Sequence, residues 1–241
     1  MKLIQRQGYL DFLRRNRNRP IVKVVSGIRR CGKSTLFRLF KDELLSEGIK
    51  PEQIISINFE ELEYEHLREY HALYQYILER MQPDEMNYIF LDEIQHVDQF
   101  HRVVDSLFVK ENTDLYITGS NAYFMSSDIA TLLTGRYVEI QMLPLSFSEF
   151  YHSKYDGNQY SLIPAYESYL RESSFPYTQQ LGGEDFDIQE YLRGLYNTLL
   201  LHDVVARLKI SDVTILQDIV RYIMSNIGSL LSPNKIANSL V

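Results

Sequence analysis

The sequence predicts an α/β protein built on a parallel β-sheet, on three observations. From Ile21 to Met142, short apolar, often β-branched runs alternate with stretches of helical spacing. A glycine-rich loop, Gly27 to Gly32, joins the first run to the helix that follows it. The third run, Tyr88 to Leu91, ends in two adjacent acids, Asp92 and Glu93.

In chain order, Ile4 to Arg17 reads as a helix carrying Ile4, Tyr9, Leu10 and Leu13 on its apolar side, and Pro20 ends the connection after it. Ile21–Ser26 (IVKVVS) is a strand buried on both faces, because a sheet covered by crossover helices needs apolar residues on both sides. Ser34–Leu45 returns to helical spacing, and Gly48 stops it. Ile54–Phe59 is the second strand, and Leu67–Met81 is a helix closed by Pro83. Tyr88–Leu91 is the third strand, Val97–Lys110 a helix and Leu115–Thr118 the fourth strand. Tyr123–Leu133 reads as helix and Tyr137–Met142 as the fifth strand. Strands alternating with helices predict right-handed crossovers and a five-stranded parallel sheet.

After Pro144 the pattern becomes helical: Ser146–His152, Ile163–Glu172 and Ile188–Leu208. The boundary is therefore expected near residue 145, with a nucleotide-binding domain over 1–145 (residues 1–19 being its N-terminal helix) and a helical region over 146–241. Val213 onwards predicts a helix, a turn at Gly228, and a second helix with Ser232 as N-cap and Pro233 as its first residue. Ile215, Ile219, Ile223, Ile227 and Leu230 recur at helical spacing and are expected to face a core. The second helix would stop with the last residue, Val241, which suggests a chain that continues in a longer protein.

Composition narrows the class. Hydrophobic residues make up 45% and charged residues 24% of the 241, ordinary for a globular chain able to bury its own core. The single cysteine, Cys31, forms no internal disulfide, and no Cys/His spacing suits structural zinc. No apolar run approaches the roughly 20 residues of a membrane helix, and Met1–Tyr9 has no signal core, so the cytoplasm is expected and a membrane is not. Net charge is −7, but residues 1–40 hold 11 Lys/Arg against one acid, Asp11, which leaves −17 for the remainder. That basic front end suits polyphosphate or a nucleic-acid backbone; it is equally a solvated basic helix beside an anion site.

Gly27-Ile28-Arg29-Arg30-Cys31-Gly32-Lys33-Ser34 matches G-x-x-x-x-G-K-[ST] at every position, with Thr35 following. The glycines allow dihedrals and close approach that a Cβ forbids, the loop N–H groups form an anion nest, and the helix adds its positive end. Lys33, expected on a solvent-facing loop, is a point charge for β- and γ-phosphates, and the Ser34 hydroxyl is a Mg2+ ligand. Asp92, at the end of a strand beside Ser34, is the second candidate metal ligand, and Glu93 the candidate general base for an attacking water. Thr118-Gly119-Ser120-Asn121 ends the fourth strand, where Asn121 or Ser120 can orient that water. Arg136, after Gly135, can neutralise transition-state charge in cis, act on a neighbouring subunit, or lie on the surface. His96 and His101 are five apart, which is not the i, i+4 spacing of a metal-binding helix face. No N-K-x-D guanine-specificity motif is present, which favours ATP over GTP.

The runs VVSGIRRCGKSTL, ISINFEE, YIFLDEIQ, LYITGSNA and LLTGRYVEIQMLPLSFSEF resemble the bacterial and archaeal AAA-like ATPase family known as AAA_14, over about residues 20–152. The doubled arginine in the loop and the GR followed by LPLSF are more specific than the loop alone. The resemblance implies strand order 5-1-4-3-2, a catalytic glutamate, and a C-terminal region called DUF4143, helical and winged-helix-like, of which residues 160–241 resemble only the start. ATP and Mg2+ are then the expected ligands.

Three activities fit: an ATP hydrolase driving conformational change, a nucleotide-dependent switch or DNA-linked regulator with slow turnover, and a small-molecule kinase. Glu93 beside Asp92 favours water as acceptor over a kinase substrate. A homo-oligomer is the arrangement in which Arg136 would act in trans. The C-terminal helix–turn–helix order is compatible with a DNA reader, but after Arg221 only Lys235 is positive, so helical packing is favoured over DNA contact.

Overall fold

The structure, a computed structural model, describes residues 4–120, 133, 135–155, 160–181, 185–199, 204–205 and 212–239. Five strands, β1 (Val22–Gly27), β2 (Ile54–Asn58), β3 (Asn87–Asp92), β4 (Thr113–Ser120) and β5 (Tyr137–Met142), form one sheet. Its order is β2-β3-β4-β1-β5 and every pairing is parallel, the order the sequence implied by resemblance. Every residue of β1 and of β3 is buried, the polar Lys23, Ser26, Asn87 and Asp92 included.

Alternation along each strand divides the core in two. Ile89, Leu91, Leu115 and Ile117 face a cluster closed by α3 (Tyr70–Leu78) and α4 (Phe100–Phe108). Tyr88, Phe90 and Tyr116 face the other side, against α1 (Gln7–Asn16) and α2 (Lys33–Ser46). There Phe90 stacks on Tyr116 at 4.7 Å and meets Phe37 edge-on at 5.2 Å, worth about 1 kcal/mol per pair beyond burial. The predicted helix over Leu67–Met81 is shorter than its pattern: Leu62–Leu67 is a 3-10 turn, and Glu69 caps α3 by accepting from the His71 and Ala72 N–H groups. The expected helix over Tyr123–Leu133 lies outside the described residues.

The chain divides into two compact units, Met1–Glu184 and Asp185–Val241. The first unit thus runs past the boundary expected near residue 145. It holds α5 (Phe147–Tyr155) and α6 (Leu162–Glu172) because polar contacts tie them back to the strand exit. The Leu145 N–H donates to Ser174 O at 2.7 Å, and the Tyr169 hydroxyl donates to Leu145 O at 2.8 Å. Ser146 and Glu149 satisfy each other's backbone N–H groups in a reciprocal cap that starts α5.

The second unit contains α7 (Asp185–Thr198), α8 (Val213–Ser225) and α9 (Pro233–Ser239). Asp212 caps α8, Gly228 turns with φ +86°, and the Ser232 hydroxyl accepts from the Lys235 N–H. The apolar row expected to face a core does not: Ile227 and Leu230 are 78% and 96% exposed, and no residue of α8 is buried. No described helix is long and apolar enough to cross a membrane.

One buried ion pair lies near the sheet's amino edge. Lys23 and Asp114, both with side chains fully shielded, bond each other, and the Asp114 carboxylate also accepts from the Tyr116 hydroxyl (2.7 Å) and the Asn18 N–H (2.9 Å). Burial pulls the Lys23 ammonium below its ordinary range against the pull of Asp114. Asp114→Ala leaves that ammonium without its counter-ion and is expected to cost about 3–5 kcal/mol in denaturant unfolding. Replacing both partners, Lys23→Met with Asp114→Leu, should cost much less; equal costs would show that packing rather than charge sets the penalty.

Candidate nucleotide site

The carboxyl ends of β1, β3 and β4 lie side by side, and the loop after β1 closes over them. Gly27 is required there: a Cβ would stand 2.5 Å from Met142 O on β5 and 2.8 Å from Cys31 Sγ. Gly32, at φ +106°, turns the chain into α2. Between them Arg30 takes φ +66°, left-handed for a non-glycine residue. Cys31 is buried, and burial pushes its thiol up, so it is packing rather than a reactive group.

Lys33 corrects one expectation: it is 4% exposed, not solvent-facing. Its ammonium donates to Gly27 O (3.1 Å) and Ile28 O (3.4 Å) and lies 3.0 Å from Glu93 Oε1. Loop carbonyls and a carboxylate therefore satisfy it from within.

Glu93 is itself shaped by its position. It takes φ +55° where β3 breaks into a tight turn, Ile94–His96. Its N–H donates to Thr118 Oγ1 at 2.9 Å, and its Oε2 accepts from Gln95 Nε2 at 2.5 Å. Burial pushes its carboxyl up, yet the Lys33 charge, the Gln95 hydrogen bond and Arg29 together hold it below its ordinary range. It stays an ionised, proton-accepting group.

Asp92 is buried beside it and moves the other way. Burial pushes its carboxyl up, with Glu93 adding to that push, against hydrogen bonds from Ser34 and Thr118. The Thr118 hydroxyl donates to Asp92 Oδ1 while accepting from Glu93, so β4 ties both acids together. The Ser34 hydroxyl and the Asp92 carboxylate form a pair of hard oxygen donors in contact, a set that fits Mg2+ when phosphate and water complete the shell. Among the described residues, no group of three or more His, Cys, Asp or Glu side chains gathers as a metal site.

A small open cavity of about 50 Å³ adjoins the loop, walled by Gly32, Thr35, Leu36, Met142 and Pro176, with Arg6 and Gln180 as polar members. Arg6 is buried and acts as a clamp. It bonds Glu149 through two nitrogens at 2.8 and 2.9 Å, and donates to Cys31 O, Leu143 O and Pro144 O. Its pull, with the Ser146 bonds, holds the Glu149 carboxyl below its ordinary range despite burial.

The loop, Asp92 and Glu93 thus converge as the sequence predicts. Asn121 lies outside the described residues, as does the side chain of Ser120. Arg136 does not join them. Its carbonyl accepts from the Val22 N–H at the amino end of β1, roughly 16 Å along the strand from the loop at ~3.3 Å per residue. There its guanidinium faces Asp105 at 3.5 Å and Phe108 at 5.6 Å, so a role in cis is excluded. Part of the basic front end is also neutralised within the chain. Arg6, Arg14, Arg17, Lys23, Arg29 and Lys33 pair with Glu149, Glu43, Glu47, Asp114, Glu60 and Glu93. Thr118, Gln95 and Arg6 were not anticipated. Thr118 was readable once β4 is placed between β1 and β3; Gln95 and Arg6 carry no signal in a single sequence.

A parallel sheet in this order, with a glycine-rich loop of the G-x-x-x-x-G-K-[ST] pattern after β1 and paired acids after β3, defines a P-loop protein of the AAA-like ATPase class. The AAA domain family model matches residues 19–151, and the chain belongs to that family. It is 38% identical, over 99% of its length, to an uncharacterized protein of Haemophilus influenzae, of which it covers 60%. It is 29% identical, over 91% of its length, to an uncharacterized protein of Methanocaldococcus jannaschii, of which it covers 50%. The chain therefore spans about half to three fifths of these relatives. Among solved structures, the Walker-type ATPase of Pyrococcus abyssi shares the fold: TM-score 0.56 and 15% identity, over 99% of this chain and 88% of that one.

Proposed function

We propose that the chain binds ATP with Mg2+ and hydrolyses it to ADP and phosphate, the turnover driving a conformational change. The observation that carries this reading is the Lys33–Glu93 pair: a phosphate-binding ammonium and an ionised, buried carboxylate 3.0 Å apart at the end of β3. Phosphate oxygens compete with Glu93 for the ammonium. Once Lys33 turns to them, Glu93 is free to take a proton from water. The water oxygen then bonds to the γ-phosphorus as the bond from that phosphorus to the bridging oxygen breaks, and ADP leaves with the bridging oxygen. Ser34 and Asp92 hold the metal ion, which supplies charge neutralisation on the phosphates. The loop N–H groups and the amino end of α2 take the remaining negative charge.

The apolar wall of the cavity beside Gly32 and Thr35 offers a face for the adenine ring to pack on, with the Gln180 amide as a polar contact. A reducing, ATP-rich cytoplasm suits the free thiol of Cys31. Release of phosphate from ATP tests the reading. Turnover that needs Mg2+ and stops with chelator is expected; failure to bind ATP by calorimetry sinks it. Turnover so slow that ADP-bound and ATP-bound forms persist would favour the switch instead.

Arg136 extends the proposal to assembly, because only a neighbouring subunit's nucleotide is open to it. Turnover per chain should rise with protein concentration, and Arg136→Ala should abolish the rise while leaving ATP binding intact. Concentration-independent turnover that tolerates the substitution would make Arg136 a surface partner of Asp105 alone.

A further inference from the structure

Resting on the reading of Glu93 as base, we propose that Gln95 is the positioning residue that keeps the Glu93 carboxylate aimed after phosphate has drawn Lys33 away. The two oxygens of Glu93 are held by different partners: Oε1 by Lys33, Oε2 by Gln95. Lys33 is the partner that nucleotide removes. The backbone of Glu93 is already fixed, by its left-handed φ and by the bond from its N–H to Thr118. What remains free is the side chain, and Gln95, two residues on in the same tight turn, is the group that limits it.

The amide's orientation follows from chemistry. Only the NH2 end can donate to a carboxylate; a flipped amide would set carbonyl oxygen against carboxylate oxygen. The orientation is kept although Gln95 Oε1 is left buried with no hydrogen-bond partner in this structure. A buried unpaired acceptor is costly, so the charge-assisted bond to Glu93 outweighs it. A side chain placed only for packing would gain nothing from this arrangement.

The experiment compares ATP turnover and ATP binding in the parent chain, Glu93→Gln, Gln95→Met and the double variant. Methionine keeps the length of glutamine and removes the donor. Gln95→Met is expected to lower kcat about 10- to 100-fold, the worth of a hydrogen bond to a charged group, with KM and ATP affinity unchanged. In the Glu93→Gln background it should cause no further loss, since nothing is left to aim. Gln95→His, which retains an N–H on a side chain of similar reach, should recover most of the rate. If Gln95→Met does not fold, Gln95→Ser is judged by the same criteria. An unchanged kcat in Gln95→Met, a loss that persists in the double variant, or a rise in KM alone overturns the proposal. Normal hydrolysis by Glu93→Gln would instead remove the base reading, and this inference with it.

Discussion

Glu93→Gln should keep ATP bound and lose hydrolysis by about 10²–10⁴-fold, the usual contribution of a positioned base and about 3–5 kcal/mol of barrier. The amide is nearly the same size, so the buried pocket that holds Glu93 is not emptied. It also cannot accept a proton, which isolates the chemistry from the geometry. Removing the charge takes away the internal competitor for Lys33, so ATP affinity should be equal to or tighter than that of the parent chain. Single-turnover phosphate release measures the first effect and calorimetry the second. Normal hydrolysis would mean that another group, or water alone, takes the proton.

Lys33→Ala is expected to weaken ATP binding by at least 30-fold, from the roughly 2–5 kcal/mol lost when one partner of a desolvated charge contact is truncated. The burial of Lys33 adds a second consequence. The substitution strands the Glu93 carboxylate, at 7% side-chain exposure, without its cation, so folding stability should fall as well. Adding Glu93→Gln to Lys33→Ala removes the stranded charge and should restore much of the stability without restoring affinity. Calorimetry and denaturant unfolding on the single and double variants separate the two effects. Full ATP affinity in Lys33→Ala would refute the phosphate assignment.

Much of the site was legible because its signals are local. Loop composition, the strand before it and the helix after it lie within one short stretch. An apolar run ending in Asp92-Glu93 says which carboxylates sit at the end of a strand. Arg136 shows the limit of such reading: proximity to β5 in sequence does not say at which end of the sheet the guanidinium lies, and it lies at the amino end. Lys33 shows another: expected on a solvent-facing loop, it instead opens α2 and is enclosed by Glu93, just after β3.

The sequence by itself determined the alternation of strands and helices, the glycine-rich loop and the identity of the paired acids, because periodicity, glycine placement and strand-end chemistry are properties of neighbouring residues. Only the tertiary structure decided which charges meet. Strand order puts Thr118 between Asp92 and the loop, and brings Lys33 to Glu93. Chain path brings Arg6 to Glu149, and with it draws α5 into the first unit. Those pairings join residues far apart in the chain, and a buried charge takes whichever partner the packed fold brings within reach, which no local pattern encodes.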